Sequence, residues 1–147
     1  MFKKLIEKLY LAQKGNLATY DQFTGCLNRN WFEMFAEKQS GYVTVCDVNG
    51  LKFANDNYGH EAGDKLIKDT AETLLNAFPT AKVVRYGGDE FYVFTSFDPC
   101  EDLDKIANST FSFGTARING EVKSAIAKAD EKMYTMKKAS KNSRRFA

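Results

Sequence analysis

A chain of 147 residues with 44% hydrophobic and 14% aromatic content can build one ordinary core and is too short for two. A net charge of +2 provides no global field for nucleic acid, and no stretch approaches the ~18 continuous apolar residues of a membrane span, so a soluble single domain is expected. Cys26, Cys46 and Cys100 are odd in number and form no metal-ligand pattern, and the N-terminus has no signal-peptide run, which together predict a reducing, cytoplasmic setting.

The spacing of Phe2, Leu5, Ile6 and Leu9 among lysines predicts a short amphipathic helix over residues 1–15, with Gly15-Asn16 as its stop. Such a helix packs on its own domain, on a second copy, or, less well with so short an apolar face, on a membrane surface. A turn-rich segment over residues 21–30 leads into the aromatic stripe Trp31, Phe32, Met34 and Phe35, predicted as the buried side of a helix. Residues 42–46 alternate and are β-branched, predicting a strand that ends in Asp47.

Residues 52–64 are polar and glycine-punctuated, rich in side chains able to read hydrogen-bonding edges. A helix is predicted after them, with Leu66, Ile67, Ala71, Leu74 and Leu75 as its buried stripe, ending before Pro79. His60, the single histidine, has no zinc-type neighbours and reads as a structural hydrogen-bonder and not a metal ligand.

Gly87-Gly88-Asp89-Glu90 lies between the apolar stretches 82–84 and 91–95, predicting a β-hairpin with acid at its tip. Two glycines there supply positive φ and allow a close backbone approach, and the carboxylates suit a hard cation; a plain solvated turn is the other reading. Residues 101–107 predict at most a short helix, 110–118 a strand, and 121–139 a long helix with Val122, Ala125, Ile126, Ala129, Met133 and Met136 on one face. The basic end of that helix, Lys137, Lys138, Lys141, Arg144 and Arg145, is favoured by the helix dipole in any case.

If the strands bearing Asp47 and Asp89/Glu90 are neighbours in one sheet, their carboxylates converge, as magnesium-dependent phosphoryl or nucleotidyl transfer requires. The absence of GxxxxGK[ST] excludes a P-loop enzyme.

The string Gly87-Gly88-Asp89-Glu90-Phe91 resembles the signature of the GGDEF family, the diguanylate cyclases. Four further blocks in family order resemble that family: Asp21 to Arg29 its opening motif, Asp47 to Lys52 its first metal loop, Asn55-Asp56 through Gly59-His60 to Gly63-Asp64 its base-binding segment, and Ala129 to Asn142 its closing helix. The resemblance implies an α+β fold: a central, mostly antiparallel five-stranded sheet flanked by helices, like the palm of nucleotidyl cyclases and polymerases, over residues 16–147.

It further implies that Asp47, the Val48 carbonyl and Asp89 ligate Mg²⁺ or Mn²⁺, with Glu90 as a further ligand or support. Asp89 takes the catalytic base position and Lys52 neutralises phosphate charge. Gly50 and Leu51 amides, Gly87, Gly88, Lys137 and Lys141 contact substrate, and Asn55, His60 and Asp64 form the guanine pocket. Implied activity is condensation of two GTP into cyclic di-GMP, with a homodimer required for catalysis. A non-catalytic GTP- or cyclic-dinucleotide-binding regulator and a cyclase of mixed products are the alternatives.

Two departures from the family stand out. The RxxD pair that binds product in relatives is replaced by Phe78-Pro79-Thr80-Ala81, so product inhibition through that site is expected to be absent. The segment after the hairpin, residues 97–110, is shorter than the family's usual helix and following hairpin.

Overall fold

The computed structural model describes residues 19–145, with side chains described as far as residue 140. The helix expected over residues 1–15 lies outside the described residues. Helix α1 is Arg29–Phe35, followed by a short 3₁₀ turn at Ala36–Lys38 and strand β1 at Tyr42–Val48. Helices α2 (Leu51–Tyr58) and α3 (His60–Ala77) lead to the hairpin strands β2 (Lys82–Arg85) and β3 (Glu90–Thr95). Helix α4 (Cys100–Ala107), strand β4 (Phe111–Arg117) and helix α5 (Val122–Arg145) complete the order.

The strands form one antiparallel sheet in the order β2-β3-β1-β4. The fold class is as expected, with four strands among the described residues and not five. The shortened segment is the reason: between β3 and β4 the chain holds only α4, whose buried Leu103 and Ala107 return it directly to the sheet. A second correction concerns residues 52–64, where the polar stretch is helical, not loop. Helix α2 buries only Ala54, with Leu51 half-buried beside it, and its short apolar spacing at Leu51, Ala54 and Tyr58 is masked by the Asn and Asp residues between them; Gly59 at φ +88° separates it from α3.

Strand alternation sends side chains to two layers. Cys46, Val48, Val83, Phe91, Val93, Phe111 and Phe113 meet Ile67, Ala71 and Leu74 of α3 and Leu103 of α4. On the other face Val43, Val45, Val84, Tyr92, Phe94 and Ala116 meet Trp31 of α1 and Val122, Ala125, Ala129 and Met133 of α5. Fully buried residues such as Phe91, Phe111, Leu74 and Leu103 contribute about 1.5–3 kcal/mol each through burial. The Asn28 side chain caps α1 by accepting from Trp31 N at 3.0 Å, fixing where that aromatic helix begins.

Helix α5 approaches β4 so closely that only glycine fits between them. A Cβ on Gly114 would lie 2.0 Å from the Ala129 carbonyl oxygen and 2.5 Å from the Met133 backbone nitrogen. Backbone cannot yield as a side-chain end can. Gly114→Ala is therefore expected to cost about 3 kcal/mol, the upper end for overpacking, and to lower the midpoint of thermal unfolding by roughly 10 °C. Circular dichroism melts of the two proteins check this.

Candidate active site

Strands β1 and β3 pair with Asp47 opposite Glu90, which meets the condition set above for the strand-end carboxylate to face those of the hairpin. Asp89 lies within hydrogen-bonding reach of Asp47. The Val48 amide donates to the Asp89 carbonyl at 3.1 Å, clamping the hairpin to the end of β1. Lys137, from α5, donates to Asp47 Oδ2 at 2.6 Å, and both side chains are largely shielded from solvent.

Burial pushes the Asp47 carboxyl above its ordinary value; the Lys137 ammonium opposes this and Asp89 adds to it. Burial also raises Glu90, followed by the charges of Asp47, Asp89 and Asp130. The corner is thus short of positive charge. Asp47 Oδ1 is buried without a hydrogen-bond partner, a costly state for a carboxylate oxygen and a suitable one for a cation ligand. Among the described residues no three acidic, histidine or cysteine side chains close into a ready-made metal cage. A hard cation here would draw on two carboxylates and a backbone oxygen, for which the Val48 carbonyl is the candidate.

The hairpin tip is built differently from the sequence-based expectation. Neither Gly87 nor Gly88 adopts positive φ, and a Cβ on Gly88 would meet nothing within 4 Å. A Cβ on Gly87 would meet only the Glu90 side chain, at 3.4 Å, in ordinary contact. The tip is closed by the Tyr86 amide donating to the Glu90 carbonyl at 2.9 Å and by Arg85, whose Nε and Nη2 donate to the Gly88 carbonyl at 3.2 and 3.0 Å.

Arg85 Nη1 also donates to Asp21 Oδ2 at 3.2 Å, and Asp21 is itself fixed by accepting from the Thr24 hydroxyl at 2.6 Å. Leu27 extends this support by exchanging backbone hydrogen bonds with Val83 and Arg85 along the free edge of β2. The opening motif and the catalytic-type hairpin are therefore one mechanical unit. Arg85 and Asp21 were not singled out as site residues from sequence; their shared ion pair spans 64 positions and has no local pattern.

Gly50 and Leu51 start α2, which no side chain caps, leaving backbone amides at a helix N-terminus. Lys52 is exposed on the first turn, Asn55 is half-buried one turn later, and His60 and Asp64 are exposed on the first turns of α3. Lys141 lies on α5, and its side chain falls outside the described residues. The structure directly brings together Asp47, Asp89, Glu90 and Lys137 and places Asn55 beside Gly63 in the adjoining helix pair. Among the described residues, Lys52, His60 and Asp64 make no hydrogen bond or ion pair with the acidic group.

A further group, not anticipated from sequence, fixes the loop after Val48. The Asn49 amide donates to Thr110 O at 2.9 Å, its Nδ2 to Ser109 O at 3.1 Å, and its Oδ1 accepts from Ser112 Oγ at 2.9 Å. Asn108 and Ser109 both occupy the left-handed region, at φ 40° and 62°, an uncommon pair of non-glycine residues. The sharp return left by the shortened segment is thus tied to the backbone next to Val48.

Comparison with known proteins agrees with this geometry. The family model described as "Diguanylate cyclase, GGDEF domain" matches residues 18–109. A probable diguanylate cyclase of Escherichia coli, DgcI, is 29% identical over 151 residues, covering 90% of this chain and 34% of its own. The chain therefore spans about a third of that relative's length. A sensory box/GGDEF family protein from Caulobacter crescentus is 28% identical with a TM-score of 0.66, covering 83% of this chain and 99% of that one. The coiled coil and GGDEF domain of DgcB from the same organism, solved with c-di-GMP, shares the fold at a TM-score of 0.76 and 23% identity, covering 93% and 91%. With the motif on a hairpin whose acids meet Asp47 across the sheet, and with well over half of the chain matched by the family model, this chain belongs to the GGDEF family.

Proposed function

We propose that the protein is a diguanylate cyclase, joining two GTP into cyclic di-GMP with release of two pyrophosphates. The observation that carries this reading is the convergence of Asp47, Asp89 and Glu90 at one sheet end, with a buried carboxylate oxygen left unpartnered and a lysine beside it. An eroded, purely regulatory domain would have no need to retain so costly a cluster.

In this reading Asp47, Asp89 and the Val48 carbonyl hold Mg²⁺ or Mn²⁺, with Glu90 in support. The ion's chemistry is to lower the pKa of a coordinated hydroxyl and to neutralise phosphate charge. The chain's own residues do the rest. Asp89 accepts the proton of the 3′-hydroxyl as its oxygen attacks the α-phosphorus, and the bond to the pyrophosphate oxygen breaks. Lys52 offsets charge developing on the phosphates, and the Gly50 and Leu51 amides at the start of α2 cradle them. Gly87 and Gly88 leave room for nucleotide beside Asp89.

Lys137 has two partners in turn. It balances Asp47 in the protein as described, and with nucleotide bound it would, together with Lys141, meet the β- and γ-phosphates. Asn55 and Asp64 read guanine: a carboxylate accepts from both N1–H and the exocyclic amine, a pattern adenine lacks. His60 sits at the start of α3 beside this pair. Each domain holds one GTP, so the second 3′-hydroxyl comes from a second domain, and a homodimer is the catalytic form. Phe78, where relatives carry the arginine of their product-binding pair, is buried in the core, which accords with a cyclase free of feedback at that site.

Incubation of the protein with Mg²⁺ and GTP, or with GTP plus ATP, followed by mass spectrometry tests the assignment. Cyclic di-GMP is expected; bound but unconverted GTP would leave only the regulatory role, and a mixed product would reassign the specificity. Asp89→Asn is expected to lower turnover by about 10³-fold or more while leaving the thermal midpoint equal or higher, because a like charge is removed from the cluster. Asp64→Ser is expected to relax the preference for GTP over ATP by on the order of tenfold, measured as the ratio of kcat/KM values. Arg85→Ala is expected to lower kcat by roughly tenfold to a hundredfold with smaller effect on GTP affinity, since the hairpin tip loses its brace and Asp89 its position. Steady-state kinetics with parallel binding titrations separate the two effects.

A further inference from the structure

The packing of α2 on α3 contains a contact that makes both helices less stable than they need be. Gly63 sits buried inside α3, where glycine is a poor helix former. Facing it is the carboxamide of Asn55, on α2. A Cβ on residue 63 would lie 1.8 Å from Asn55 Oδ1, 2.7 Å from Cγ and 3.0 Å from Nδ2, so the whole amide group rests against the Gly63 backbone. Asn55 Oδ1 is buried there without a hydrogen-bond partner.

Two unfavourable features therefore meet at one point, and neither improves the packing. Alanine at 63 with a small apolar residue at 55 would make a better helix pair on propensity and polar satisfaction alike. The next residue in α3, Asp64, is exposed, so the chain turns from an inward glycine to an outward carboxylate in one step. Gly63 thus controls both how deep the Asn55 amide sits and how far it lies from Asp64.

We propose that Gly63 is a positioning residue for base recognition: its missing Cβ seats the Asn55 carboxamide at the depth and angle from which it and Asp64 meet one guanine. This rests on the reading of Asn55 and Asp64 as guanine contacts. A side chain at 63 pushes the amide out of its seat, and the pair no longer spans one base edge. The loss falls on ground-state binding, hence on KM and not on kcat.

The test measures GTP binding by calorimetry, steady-state kinetics and thermal midpoints for the full chain and for Asn55→Ala, Gly63→Ala and the double variant. Gly63→Ala is expected to weaken GTP binding by about tenfold, the weight of one neutral hydrogen bond, with KM raised and kcat nearly unchanged. In the Asn55→Ala background the same change is expected to cost no further affinity and to raise the thermal midpoint, because the new methyl no longer meets an amide and the helix gains a better former. GTP affinity retained within twofold in Gly63→Ala while Asn55→Ala weakens it would overturn the proposal alone, as would an equal loss from Gly63→Ala in both backgrounds. Unchanged affinity in Asn55→Ala would instead overturn the base-contact reading on which the proposal stands.

Discussion

Carboxylates gathered where water is scarce repel one another, and the end of this sheet is arranged around that repulsion. Asp47 arrives from β1, Asp89 and Glu90 from the hairpin, and the β1–β3 register brings Asp47 opposite Glu90. The Lys137 ammonium at 2.6 Å is the counter-charge described here. It reaches the spot because α5 lies flush on β4, which the missing side chain of Gly114 permits, and because its buried stripe runs through Met133, one turn before the lysine, to the half-buried Met136 next to it. Met136 contributes directly, its sulfur accepting from the Phe113 amide at 3.3 Å. Helix packing and site electrostatics are in this sense a single design: a shift of α5 would move a charge as well as a contact.

Much of this was legible in the chain itself. The hairpin, its acids and the strand-end Asp47 follow from alternation and turn chemistry, and their convergence needed only that β1 and β3 be neighbours. The long α5 stripe was equally plain. Helix α2 was not, because its apolar spacing at Leu51, Ala54 and Tyr58 is short and diluted by Asn and Asp, which favour turns. Braces such as Arg85 to Asp21 and Asn49 to Ser112 were hidden for another reason: their partners stand 64 and 63 positions apart, and only the folded sheet sets them side by side. Gly87 and Gly88 illustrate a subtler limit. Positive φ was expected there, yet neither glycine adopts it, because the tip is closed by the Tyr86 amide and the Arg85 side chain and not by a left-handed backbone.

The fifth strand was expected from family likeness and is missing among the described residues for a reason the sequence contained, the brevity of residues 97–110. Shortening did not leave a loose edge. Leu103 and Ala107 still pack into the core, and the Thr95 hydroxyl donates to the Phe97 carbonyl at 2.7 Å to turn the chain out of β3. The end of the trimmed segment is tied to Asn49 beside β1, and the β1–β3 register that sets Asp47 opposite Glu90 is formed next to it.

The tight return at Asn108 and Ser109 has a consequence for how this chain can vary over evolutionary time. Insertions into surface loops are ordinarily tolerated well, since closing a somewhat longer loop costs little entropy. Here the loop's carbonyls at Ser109 and Thr110 grip Asn49, the residue following Val48. The length of this segment is therefore part of the acidic centre's scaffold, so a chain with residues inserted here would need a new anchor for Asn49 at the same time.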